Sequence, residues 1–186
     1  MIRVLYVLAA ALLTGVLIHI GTIFALPYYS INDIWHRVLT MGPMHRVLVI
    51  SDPHEAVALS DDLDPTFVYG LCRTDISGAP IAMKGDLQTD FWSLNYLDRY
   101  GRSQYSLTNE VSGPNINVIL GTKGQYRLLS ERRDLIDDTT IVIQANDDKG
   151  LLLLRGFVDD EKERARLTEA MRLVSCEPLW ETEAGQ

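Results

Sequence analysis

Apolar and polar positions follow four successive regimes along the chain. From Val4 to Leu26 there is no Asp, Glu, Lys or Arg. A helix of that length rises ~34 Å at ~1.5 Å per residue, enough to cross a hydrocarbon core of ~30 Å. A short helical period follows, with Ile31, Ile34, Trp35 and Val38 at i, i+3, i+4 and i+7, ended by Gly42-Pro43. Arg46 to Ile50 reads as a short strand. Asp52-Pro53-His54-Glu55 then has the composition of a helix start, for a helix reaching about Ser60.

From Thr66 to Val158 the period becomes two. Phe67, Tyr69 and Leu71 alternate with Val68 and Gly70, and Trp92, Leu94 and Tyr96 with Ser93 and Asn95. Tyr105 and Leu107, then Ile116, Val118 and Leu120, continue the pattern, which predicts half-buried strands with one wet face. Turn residues separate them at Ser77-Gly78, Asp98–Gly101, Gly121–Gly124 and Asn146–Gly150. The last of these reads as a hairpin turn between Thr139–Ala145 and Leu151–Val158. A closing helix is expected from Asp160 to about Val174, with Ala165, Ala170, Met171 and Val174 facing inward. The expected fold is mostly β: an antiparallel sandwich or open barrel with a C-terminal helix, preceded by one transmembrane helix. The boundaries are 1–27 for the anchor, 28–64 for a connector, 65–176 for the β domain with its closing helix, and 177–186 for a polar tail.

The first run has a rival reading as a cleaved secretory signal. A signal's apolar region is usually only ~7–15 residues long and ends at a small-x-small site. Here the run is longer, and Ile23 occupies the small position expected before a cut at Ala25. Tyr28, Tyr29 and Trp35 follow, rings suited to a headgroup layer. An uncleaved signal-anchor is therefore expected. Arg3 and the α-amine face Arg37 across the span, so Lys/Arg counting alone barely orients it. The long segment after a single anchor is normally exported, which expects a cytoplasmic N-terminus and a periplasmic domain in the bacterial inner membrane. Ala11/Gly15 and Gly21/Ala25 have small-xxx-small spacing, common in membrane helices generally. His19 has no acidic companion in the span.

Charge narrows the partners. A formal net charge of -8 repels nucleic-acid phosphate and an anionic lipid surface, leaving the span Val4–Leu26 as the contact with lipid. The two cysteines, Cys72 and Cys176, suffice for one bridge in an oxidising compartment. The alternative is a buried strand thiol and a helix-end thiol. Neither has C-x-x-C spacing.

Catalytic and metal signatures are weak. His36, His45 and His54 recur at intervals of nine without a close pair of zinc-ligand type. Asp61, Asp62 and Asp64 lack the alternation, glycine and distant glutamate of a calcium loop. No G-x-S-x-G, G-x-G-x-x-G or Walker motif occurs, and no cofactor is expected. Arg73 and Asp75 share one strand face, with Lys84 in the next strand; the trio suits an anion or acid–base chemistry, or a plain cross-strand ion pair on a solvated face.

The segments Tyr69–Ile76, Phe91–Asp98, Gly101, Tyr105–Asn109, Leu152–Phe157 and Ser175–Pro178 together resemble a family of uncharacterised bacterial inner-membrane proteins. Members are short, with one N-terminal transmembrane helix, a cysteine–arginine–aspartate strand and a tryptophan–serine strand. The resemblance implies an envelope location, a mostly β domain and a partner from a second small membrane family. It implies no active site. The recurrence of both cysteines in that pattern supports their pairing. The expectation is thus a membrane-anchored periplasmic interaction or accessory protein. A lipid or small-molecule carrier and a hydrolase-like enzyme using Arg73, Asp75 and Lys84 stand as rivals.

Overall fold

The computed structural model describes residues 2–29, 38, 42–52, 63–132 and 135–180. The chain divides into two compact units, Met1–Asp33 and Ile34–Gln186. The expected short helices after the anchor and at Pro53–Ser60, with His36, His54, Asp61 and Asp62, lie outside the described residues, apart from Val38 in the first.

The first unit holds helix α1, Ile2–Tyr29. Its segment Ile2–Leu26 has a mean hydropathy of 2.2 and no residue buried within the protein. The hydroxyls of Thr14 and Thr22 donate to the carbonyls of Ala10 and Ile18, both at 2.9 Å. These polar side chains are thereby satisfied inside their own helix.

The second unit is two stacked sheets. Strands β1 (Val47–Ile50), β2 (Phe67–Asp75), β4 (Trp92–Asp98), β5 (Ser103–Thr108) and β8 (Lys149–Phe157) form one sheet, ordered β1-β2-β8-β4-β5. Strands β3 (Ile81–Asp86), β6 (Asn115–Thr122), β7 (Ile141–Ala145) and β9 (Ser175–Pro178) form the other, ordered β7-β6-β3-β9. All pairs are antiparallel except β6–β7, which is parallel. The sandwich is not closed into a barrel. Short helix α2 (Asn109–Ser112) precedes β6, helix α3 (Lys123–Glu131) follows it, and α4 (Glu161–Arg172) follows β8.

Alternation explains the layering. Val68 and Cys72 of β2 enter the central core with Leu152 and Leu154 of β8, Met83 of β3 and Val118 of β6. Trp92, Leu94 and Tyr96 of β4 fill its middle, each at most 1% exposed. Tyr69 and Leu71 face the other way, into a second cluster with Val38, Ile50 and Leu151. Strand β2 is consequently buried on both faces, where one wet face was expected.

Three further differences have local causes. The strands flanking Asn146–Gly150 do not form a hairpin: β7 pairs with β6, whereas β8 lies between β2 and β4. Lys123–Glu131 is a helix, started by a reciprocal cap. Gln125 N–H donates to Thr122 Oγ1 at 3.3 Å, and Gln125 Oε1 accepts from Thr122 N–H at 2.9 Å. The chain beyond Glu177 is also less polar in its role than expected, because Pro178 completes β9 and Leu179 and Trp180 pack against Ala82, Ile119 and Leu129. Helix α4 begins where expected, Asp160 Oδ1 accepting from Glu163 N–H at 2.7 Å. It buries Leu167, Thr168 and Met171, and Ala165 is exposed.

The β4–β5 turn is built on one carboxylate. Asp98, 1% exposed, accepts from the N–H groups of Tyr100 and Arg102 (both 2.9 Å) and from Arg102 Nε at 2.6 Å. Asp98→Ala is expected to cost on the order of 2 kcal/mol by stranding those donors, with Asp98→Asn costing less, as read from urea midpoints.

Candidate functional site

The stapled side and the open side of the sandwich are built differently. On the first, Cys72 of β2 and Cys176 of β9 form a disulfide between the two sheets, their Cα atoms 6.5 Å apart. Cys176 thus belongs to a strand, not to a helix end. Helix α4 packs against β1, β2 and β3 on this side. Arg164 anchors it, donating to the carbonyls of Ser51 (3.2 Å) and Pro65 (2.6 Å). Gly156 and Gly85 lie beneath it: a Cβ at Gly156 would approach Leu167 Cδ2 to 2.6 Å, and one at Gly85 would approach Val174 Cγ2 to 2.7 Å.

The structure does not bring Arg73, Asp75 and Lys84 into one site. Arg73 and Asp75 follow Tyr69 and Leu71 on the outer face of the first sheet. Lys84 succeeds the core residue Met83, so it points to the outer face of the second sheet and is exposed. Strands β2 and β3 are not paired. Nor is Arg73 on a solvated face, being 6% exposed.

Asp75 has different neighbours. Its carboxylate accepts from Ser77 N–H (3.1 Å) and Oγ–H (2.7 Å) and lies 3.7 Å from Lys149 Nζ. Burial pushes its pKa up, but the Ser77 hydrogen bonds, with Lys149 and His45 nearby, outweigh burial and hold it below the usual carboxylate range. His45, missed as a partner of this strand, adopts a positive φ of 59°. Its N–H donates to Arg73 O at 3.0 Å, and its Nε2 accepts from Asp75 N–H at 3.2 Å. The histidine therefore continues the β1–β2 ladder past the end of β1. No sequence signal marks this, since it depends on a left-handed residue that is not glycine or asparagine.

The open side lies between edge strands β5 and β7. Their ends are tied by Asn146 Nδ2, which donates to Gln104 Oε1 at 3.1 Å. Tyr96 Oη donates to Asp147 O at 3.3 Å nearby, and burial with Asp147, Asp98 and Asp148 raises its pKa strongly. Tyr105 of β5 is 38% exposed. At the other end of β7, Asp137 accepts from Thr139 N–H and Oγ–H, Thr140 Oγ–H and Asn117 Nδ2. These bonds, the threonine hydroxyls first, hold its carboxyl at about 2. A depressed carboxyl stabilises the fold above its unfolded value of 3.8, and that contribution is lost as pH falls towards about 2. A carboxyl-carbon NMR titration is expected to place Asp137 near that value, and Thr139→Val is expected to raise it.

Among the described residues, no group of three or more His, Cys, Asp or Glu is placed to hold a metal ion. No protein-family model and no curated protein sequence matches the chain. Among solved structures it is similar to the VPA0106 protein from Vibrio parahaemolyticus, with a TM-score of 0.55 and 9% identity over 78% of this chain and 35% of that one. It is also similar to an uncharacterised protein from Burkholderia cenocepacia, with a TM-score of 0.46 and 12% identity over 73% of this chain and 36% of the other. The chain thus spans about a third of the length of each. What the likeness to the Vibrio protein shows is a shared fold.

Proposed function

We propose that this chain is an accessory protein of the bacterial cell envelope that binds another envelope protein. Its N-terminus lies in the cytoplasm, the segment Val4–Leu26 stays in the inner membrane, and the sandwich stands in the periplasm. One observation carries this reading: an apolar helix with no buried residue in its span is joined to a cystine-stapled sandwich in which, among the described residues, edge strands β5 and β7 have no further strand beside them. An exposed apolar helix needs lipid around it, a stable cystine suits an oxidising compartment, and open strand edges are binding surfaces. A signal sequence meets the same length and composition test, so retention of the helix is part of the proposal. A carrier would need room between its sheets, whereas Trp92, Tyr96, Met83 and Leu154 occupy that space at 0–1% exposure.

Cross-linking of the full-length chain in living cells tests the reading. It expects a discrete product joining the chain to one envelope protein, recovered from the membrane fraction. Its periplasmic half expects both cysteines to resist a thiol-reactive mass tag in SDS until a reductant is added. A product with cytosolic proteins, or two freely tagged thiols, overturns it.

A further inference from the structure

We propose that the open side takes up an extended segment of a partner protein, hydrogen-bonded to the free edge of β7, whose apolar stretch is bracketed by Lys or Arg. This rests on the envelope-interaction reading and names the surface and the chemistry of the partner.

The four sheet edges are not equivalent. Natural edge strands carry a protective device, such as a charge, a proline, a bulge, short length or a cover. Strand β1 is covered by α4. Strand β9 has only four residues and ends in Pro178. Strand β5 is bulged, since its register against β4 shifts between Tyr96 and Leu97 and leaves Gln104 unmatched. Strand β7 carries helix α3 against one face, where Val142 packs with Leu129, but among the described residues its edge has no charge, proline or bulge. Its register with β6 is regular from Val118↔Ile141 to Thr122↔Ala145, and among the described residues no strand pairs with its other edge. The sequence Ile141-Val142-Ile143-Gln144-Ala145 is rich in β-branched residues and has no charge or proline. Parallel strands normally lie covered within a sheet, and this one lies at the margin.

Charge at both ends of β7 says what fits there. Asp137 and Asp138 precede the strand, and Asp147 and Asp148 follow it. Asp137, Asp138 and Asp148 are exposed. Of the nearby cations, Lys149 lies 3.7 Å from Asp75 and Arg102 2.6 Å from Asp98, while exposed Lys123, next after the β6 residue paired with Ala145, is outnumbered by the four aspartates. An incoming strand would therefore meet an uncharged middle and an acidic frame. Backbone pairing with β7 supplies its affinity, and cationic flanks against the aspartates supply its register and selectivity.

The test uses the full chain in detergent and two synthetic nonapeptides, Val-Thr-Val-Thr-Val with two lysines at each end and the same core with glutamates instead. Hydrogen exchange of the 141–145 amides is expected to slow at least tenfold with the lysine peptide and to stay unchanged with the glutamate peptide. Gln144→Lys, at an exposed position, sets a cation in the middle of the strand and is expected to weaken binding of the lysine peptide at least tenfold. Equal binding of both peptides, protection at β5 instead of β7, or no protection overturns the proposal. So does protection of β7 by self-association of the chain, which would make a second copy the occupant. A cellular cross-link through another surface would end this proposal while leaving the envelope reading intact.

Discussion

Replacing Cys72 and Cys176 together by alanine is expected to lower the stability of the sandwich by about 2–5 kcal/mol. The bridge joins residues 104 apart in sequence. In the chain-entropy account a closed loop of ~100 residues restricts the unfolded chain by up to ~4.7 kcal/mol, the upper end of that range. Its position matters as much as its length. It ties β2, which pairs on both sides, to the four-residue strand β9, which among the described residues pairs only with β3. Urea unfolding of the full chain in detergent reads the effect, and dithiothreitol should reproduce it in the native protein yet leave the double alanine variant unmoved. An unchanged midpoint would mean that the two thiols are not bridged.

The second large effect is expected at Trp92. Its side chain is 0% exposed in the central core, between strands of both sheets. Trp92→Ala is expected to cost about 3–5 kcal/mol, from lost burial and the cavity left behind. The indole Nε1 finds no acceptor among the described residues. Trp92→Phe therefore removes a buried, unsatisfied donor while keeping an aromatic ring, and its cost is expected to stay below about 1.5 kcal/mol. Comparable midpoints for the alanine and phenylalanine variants would show that the ring does not fill the core as described.

The strands and the closing helix were legible because they rest on local pattern. Period-two alternation located β2, β4, β5 and β6, a continuous apolar run located β8, and Asp160 marked the start of α4. Pairing was less legible, because alternation says which face a residue takes and not which strand lies beside it. Leu151 to Leu154 is apolar on both faces since β8 is the middle strand of five, and that continuous run made a hairpin with Ile141–Ala145 look natural. The burial of Arg73 was equally hidden. Arg73 lies on the outer face of β2, where Tyr69 and Leu71 pack with sequence-distant Val38, Leu48 and Leu63, and a single strand's pattern does not record such a layer. Helix α3 did carry a readable signal in Thr122 and Gln125, a capping-box pair masked by Gly121 before it and Gly124 within it. Both cysteines were visible as candidates, but the open edge of β7 became visible only once its neighbours in the sheet were known.

Alkaline carbonate extraction of membranes, followed by the intact mass of the chain, bears most directly on the anchored-domain account. The account predicts that the protein stays in the membrane pellet with α1 still attached. Recovery in the carbonate supernatant, or a mass corresponding to a chain that starts after Ala25, would contradict it.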